Sequence, residues 1–235
     1  MKAYLLVYNA ACGAGWLFCA AKTASAILSG SPAREAWADM GLVLMISQTA
    51  MLLEIVHSIV GLVPSPVVTV AVQVSSRIFI VWGHLYWVPA CQAHWSLFLM
   101  VMSWSITELV RYSFYFFALL GSVPFPLFWL RYSLFMALYP TGITGEILQT
   151  LVGMGAHWQT ASPLWYRLSL VVLLLYGPAG PGMIGNMWGN RKRSFKKRFA
   201  VKEEPTGVVW PKTKSGDRSS TSTNRAILAA AAAAG

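Results

Sequence analysis

The sequence predicts an all-α integral membrane protein: a bundle of six transmembrane helices over residues 1–190, followed by a basic, largely disordered tail over 191–235. Three observations predict it. The chain of 235 residues is 56% hydrophobic and only 11% charged, too apolar and too charge-poor for an ordinary soluble domain. Six apolar segments have the length, around 20 residues each, that a bilayer core demands. The net charge of +10 is gathered at one end: residues 191–235 hold eleven Lys and Arg against Glu203, Glu204 and Asp217, a net of +8.

The first segment, roughly 3–28, is longer than the apolar core of a cleavable signal and reads as the first span. Ser29-Gly30-Ser31-Pro32 opens the loop to a second span at 41–63, and Pro64-Ser65-Pro66 makes a tight connection to a third at 67–88. A loop near Pro89–His94 leads to a fourth span at 96–120. Gly121–Pro124 leads to a fifth at 125–149, and Leu151–Ser162 to a sixth at 162–181. Loops this short join neighbouring antiparallel helices. Trp37, Trp87, Trp95, Trp158, Trp165 and Trp188 gather near the predicted ends, as interfacial aromatic belts do. Six basic residues in eight, Arg191–Arg198, place that end in the cytosol. An even number of spans puts the N-terminus on the same side. From about Lys202 the chain turns polar, with Pro, Ser, Thr and Gly and a run of six alanines, a composition that predicts disorder. Cys12, Cys19 and Cys91 show no disulfide or metal spacing and read as small packing residues.

The stretch Leu130–Glu146 stands out within this plan. It contains Arg131, then Tyr139-Pro140-Thr141-Gly142-Ile143-Thr144-Gly145-Glu146. Charge at membrane depth is costly and marks function by default. Proline removes a backbone donor, and here it frees the carbonyl of Met136. Two glycines permit further departure from helix. Such backbone is tolerated only beside protein or a wet cavity. The stretch is therefore expected to break near Pro140 and to line a pocket, with Tyr139 and Glu146 as its reactive groups. Seven residues separate them, so on a regular helix they share a direction and stand ~10 Å apart.

Other polar groups fall on shared helical faces: Glu54 with His57, Gln73 with Arg77, and Glu108 with Arg111. Glu108 and Arg111 read most simply as an intramembrane ion pair, His57 as a hydrogen-bonded bundle residue, and Arg167 as a snorkelling end residue. Span six adds Tyr176. No cysteine is followed by arginine six positions on, no phosphate-binding glycine loop or dinucleotide fingerprint is present, and the four histidines lack metal-ligand spacing. No metal or redox cofactor is expected. Beside a membrane body the basic tail is expected to meet anionic lipid rather than nucleic acid.

Taken together, several motifs resemble the endoplasmic-reticulum 3-hydroxyacyl-CoA dehydratases of very-long-chain fatty-acid elongation, especially the plant PASTICCINO2-type members. These are Gln48-Thr49-Ala50-x-x-Leu53-Glu54-Ile55-x-His57, Gln73-Val74-Ser75-Ser76-Arg77, Trp104-Ser105-Ile106-Thr107-Glu108-x-x-Arg111-Tyr112-Ser113, Leu130-Arg131-Tyr132-Ser133 and Leu138–Glu146. The resemblance covers roughly residues 4–198. It implies six spans with cytosolic ends in the endoplasmic-reticulum membrane, and Tyr139 and Glu146 as the catalytic pair. It also implies that Glu54, Gln73, Arg77, Arg131 and Gly142 support activity. It further implies an acyl-CoA substrate and the other elongase subunits as partners: the ketoacyl-CoA synthase, the ketoacyl-CoA reductase and the enoyl-CoA reductase. The polar, alanine-ended tail departs from the pattern and lacks a terminal di-lysine retrieval signal.

Water elimination from a (3R)-3-hydroxyacyl-CoA requires one proton to leave C2 and another to join the departing hydroxyl, hence an acid and a base or one group serving both turns. Tyr139 and Glu146 are expected to fill these roles in either order, with Arg131 and Arg77 as the nearby cations. A transporter is the strongest rival class, because broken charged spans also build ion sites, but two similarly interrupted halves are not visible. A catalytically dead scaffold of the elongase complex is a third class, and intact Tyr139 and Glu146 argue against it.

Overall fold

A computed structural model of the chain describes residues 1–63, 67–159 and 163–200, with backbone only at 178 and 179. The Pro64-Ser65-Pro66 turn, the last residues of the fifth loop and the polar tail from 201 onward lie outside the described residues.

All regular structure among the described residues is helical. Helix α1 spans Lys2–Ser29 and stops at Gly30, whose φ of 71° lets it cap the last carbonyls in the left-handed region. Pro32, in extended backbone, starts α2 at Ala33–Ala50, earlier than the span expected from 41. A slight distortion at Met51 separates it from α3, Leu52–Ile59. α4 is Val67–Ile80 and runs into a π-helical turn at Val81–Leu85. α5 is a short helix, Pro89–Ala93, inside the third loop. α6 covers Ser96–Leu120 with the expected bounds and ends at Gly121, φ 98°. α7 is Phe125–Ser133, α8 is Phe135–Gln159 and α9 is Pro163–Ala200.

Three runs are long and apolar enough to cross a membrane: Lys2–Ser29, Ala33–Ile59 and Val67–Leu85. A fourth arises if the two halves of α9, Pro163–Gly177 and Gly180–Ala200, which meet at 48°, form one span. α6 and α8 have 25 residues each, but ionised groups, serines and threonines dilute their apolarity.

α6 is the central element. It packs along α1 on one side and α8 on the other, while α2 covers α1 and α9 covers α8. Trp16, Met40, Leu44, Leu97, Met100 and Trp104 fill the main core. Large apolar residues such as Leu42, Ile46, Val68, Val72 and Leu174 face outward, while Gln48, His84, Glu108, Arg111 and Glu146 are buried. Polar inside and apolar outside is the arrangement a bilayer favours.

Two expectations about the Tyr139–Glu146 stretch need correction. The chain does not break at Pro140: α8 continues helically through it. The interruption lies at Leu134, six residues earlier, between α7 and α8. The Thr141 hydroxyl donates to the Ala137 carbonyl at 2.9 Å. The glycines do not unwind the helix either. They join Glu146, Gln149, Thr150 and His157 on the buried face of α8. A Cβ on Gly145 would stand 2.8 Å from the Met100 backbone, so this position sets the α6–α8 distance. A Cβ on Gly142 would make an ordinary 3.6 Å contact with Ser103.

The basic cluster is not the start of a loose segment, because α9 continues through it. The Arg198 guanidinium donates to the Val123 carbonyl at 3.0 Å and lies 4.5 Å from the Phe128 ring; Arg191 donates to the Ser133 hydroxyl at 3.2 Å. Toward the other end of the bundle the π turn directs Gly83 and His84 inward. His84 is fully buried, 3.3 Å from both His157 Nε2 and Ser169 Oγ.

Replacing Gly145 by alanine is expected to cost about 1–3 kcal/mol by overpacking, since the methyl meets backbone rather than a flexible side chain. Gly155→Ala, with nothing within 4 Å, is expected to be neutral or slightly stabilising. Thermal unfolding of both variants in detergent checks this; equal midpoints contradict the close approach.

Candidate active site

A cavity of about 620 Å³ opens between α4, α6, α7, α8 and α9. Of the residues singled out in the sequence, Gln73, Arg77, Arg131, Tyr139, Gly142 and Glu146 all line it. Three helices, α4, α7 and α8, therefore bring together groups separated by up to 73 positions. Gln73 and Arg77 sit one turn apart on α4. Gly142 and Glu146 sit one turn apart on α8, with Tyr139 nearly one turn before Gly142. Arg131 projects from the end of α7, its guanidinium 5.9 Å from the Tyr115 ring. The α9 wall is mainly apolar: Val172, Leu175, Met183 and Met187, interrupted by Tyr176.

Glu54 is the exception. It does not line the cavity. Its Oε1 accepts from Arg111 Nη2 at 2.6 Å and from the Tyr112 hydroxyl at 2.5 Å. Arg111 also meets Glu108 at 2.6 Å, and Glu108 is in turn bonded by Arg77. The expected Glu108–Arg111 ion pair is thus the middle of a four-membered chain, Glu54–Arg111–Glu108–Arg77. The two carboxylates formally balance the two guanidinium groups, which is how buried charge is retained. His57 behaves as the bundle residue expected of it: the Tyr4 hydroxyl lies 2.8 Å from its Nε2, and Tyr8 packs edge-on against it.

The ion chain reaches the site through an aromatic ring. The Arg77 guanidinium lies 5.1 Å from the centre of the Trp104 ring, within cation–π range. Trp104, buried at 2% exposure, donates its indole N–H to Glu146 Oε1 at 2.7 Å. The other carboxylate oxygen, Oε2, accepts a hydrogen bond from the Tyr176 hydroxyl. Glu146 is therefore held from two sides, by α6 and by α9. The Tyr139 hydroxyl is aimed elsewhere, 3.5 Å from the Gly180 carbonyl. The two expected reactive groups face one cavity without touching each other.

Sequence reasoning missed Trp104 and Tyr176 as neighbours of Glu146. Tyr176 was visible as an isolated hydroxyl in an apolar span. Its partner depends on the register between α8 and α9, which spacing along one helix does not encode. Among the described residues, no group of three or more His, Cys, Asp or Glu is placed to hold a metal ion.

The family profile described as "Protein tyrosine phosphatase-like protein, PTPLA" matches residues 48–197. The mouse protein named very-long-chain (3R)-3-hydroxyacyl-CoA dehydratase 2 is 36% identical over 203 residues, 81% of this chain and 80% of its own length. Arabidopsis thaliana very-long-chain (3R)-3-hydroxyacyl-CoA dehydratase PASTICCINO 2 is 38% identical over 213 residues, 83% of this chain and 94% of its own. Mouse dehydratase 1 is 42% identical over 203 residues, 81% of this chain and 72% of its own. No solved structure matches. With its profile match spanning the ion chain and the cavity-lining motifs alike, the chain belongs to the PTPLA family, the family resembled by its Gln48–His57 and Leu138–Glu146 motifs.

Proposed function

We infer that the protein is a very-long-chain (3R)-3-hydroxyacyl-CoA dehydratase, a hydro-lyase of fatty-acid elongation, and we propose that Tyr139 and Glu146 carry out its acid–base chemistry. The observation that carries the proposal is their common cavity. A phenol and a carboxylate, unlinked to each other, face one space with Gln73, Arg77, Arg131 and Gly142 around it. A substrate between them can lose its C2 proton to one and its hydroxyl with a proton from the other, giving the trans-2-enoyl-CoA and water. The oxygen of the thioester carbonyl, where charge develops, is within the domain of Arg131 and Gln73 as donors. The apolar α9 wall suits the acyl chain. Glu54 supports the site from outside the cavity, by holding Arg111.

The same reading extends to the membrane. α6 and α8, about 37 Å long at the rise of a regular helix, are long enough to span a hydrocarbon core, and their polar faces turn to the cavity or to neighbouring helices. Counting them, the α1, α2–α3 and α4 runs and α9 gives six spans. The Arg191–Arg198 cluster at the end of α9 favours cytosolic ends. The CoA head then lies at the cytosolic mouth beside Arg131 and the basic part of α9. Residence in the endoplasmic-reticulum membrane, and work alongside the condensing enzyme and the two reductases, follow from that assignment.

Tyr139→Phe removes one hydroxyl and Glu146→Gln one titratable proton, with little change of volume. Each is expected to lower turnover of 3-hydroxyacyl-CoA by a factor on the order of 10²–10⁴, and the double variant to lose little more than the worse single. Purified protein in detergent, normalised to folded material, checks this; near-normal turnover in either variant removes that residue from the chemistry. For topology, tags at both ends are expected to be cut by protease added to intact microsomes. Protection of either tag contradicts the six-span arrangement.

A further inference from the structure

The geometry points to Tyr176 as the positioning residue of the Glu146 carboxylate, with Trp104 as its counterpart, and so to Glu146 as the group that takes the C2 proton. This rests on the dehydratase reading above and supplies the division of labour that reading leaves open.

The two oxygens of Glu146 are occupied by donors from different helices. The indole N–H of Trp104 can only donate, and it reaches Oε1 at 2.7 Å from α6. The Tyr176 hydroxyl donates to Oε2 from α9. A carboxyl accepting at both oxygens is in the acceptor form, with lone pairs left to take a further proton. Its plane is also fixed, because neither donor is free to swing. Trp104 lies under the Arg77 guanidinium in the core. Tyr176 sits on α9, which packs along α8. Tyr139 has the opposite surroundings. Its neighbour is the Gly180 carbonyl, an acceptor, at 3.5 Å. That keeps the phenol proton in place, and so long a contact is readily exchanged for a substrate oxygen.

The step then balances. Glu146 receives the C2 proton, the C2–H electron pair becomes the C2–C3 double bond, and the C3–O bond breaks. The leaving hydroxyl departs as water with the Tyr139 proton. The cycle closes when, after the enoyl product leaves, Glu146 gives up its proton to water entering the cavity and the Tyr139 phenolate takes one back from water. Tyr176 also lines the cavity, but its hydroxyl is spent on Glu146, so removing that hydroxyl alone slows abstraction while leaving the ring in the substrate wall.

The test is steady-state kinetics of full-length protein in detergent with 3-hydroxyacyl-CoA, for wild type, Tyr176→Phe, Trp104→Phe, Glu146→Gln and the Tyr176→Phe/Glu146→Gln double. Loss of a hydrogen bond to a charged group is expected to lower kcat about 10- to 100-fold in each aromatic variant, with KM held within about twofold. In the Glu146→Gln background, Tyr176→Phe is expected to change kcat by less than about twofold, because there is no carboxylate left to position. A Tyr176→Phe enzyme with normal kcat overturns the inference. So does a loss of equal size with or without Glu146, the signature of a packing or folding defect. Wild-type protein that forms no enoyl product overturns instead the dehydratase reading on which the inference stands.

Discussion

Charge buried in an apolar bundle is the constraint on which the rest of this structure depends. Glu54, Arg111, Glu108 and Arg77 come from α3, α6 and α4, and each is tolerable at membrane depth only because the next one neutralises it. Meeting that requirement pins three helices in register. It also fixes the Arg77 guanidinium over Trp104, and through the indole it fixes one oxygen of Glu146. A charge requirement that begins at Glu54, outside the cavity, thus ends as the orientation of the Glu146 carboxylate. A residue such as Glu54 can matter to the site without bordering it.

The cavity itself divides by helix. α4, α6, α7 and α8 contribute most of the polar and ionised groups, whereas α9 contributes, Tyr176 apart, aliphatic side chains and two methionines, whose flexible thioethers fill irregular space. Such a space suits a molecule polar at one end and apolar along the other. Close approach of α6 and α8 at Gly145 draws together the two helices that carry Trp104 and Glu146, because no side chain intervenes between the α8 backbone and Met100.

Much of this was legible in the sequence, for definite reasons. α6 was found with its bounds because apolar length and a glycine stop are local signals. Gln73, Arg77, Arg131, Tyr139 and Glu146 stood out because a polar group in an apolar span is conspicuous wherever it points, and Gly142 through the family resemblance; all six line the cavity. What escaped depended on relations between helices. Pro140 announced a break, but α8 runs helically through it and the interruption falls six residues earlier, at Leu134. The glycines announced conformational freedom, but α8 uses Gly145 for proximity. The basic residues at 191–198 looked like a tail, yet Arg191 and Arg198 find partners on Ser133 and in the Val123–Phe128 region, and the helix runs on. Tyr176 and Trp104 could be named from the sequence, but their meeting at Glu146 is a matter of tertiary register.

The bend in α9 has a mechanical consequence. Tyr176, which grips Glu146, is in the last turn before the joint at Gly177, and Gly180, whose carbonyl faces Tyr139, begins the segment beyond it. The two halves of the helix thus hold the two groups proposed to share the chemistry, Glu146 and Tyr139. Any force that opens or closes the 48° angle changes the gap between them. Bilayer thickness is such a force, because a helix bent within the membrane straightens or folds to match the hydrocarbon slab around it.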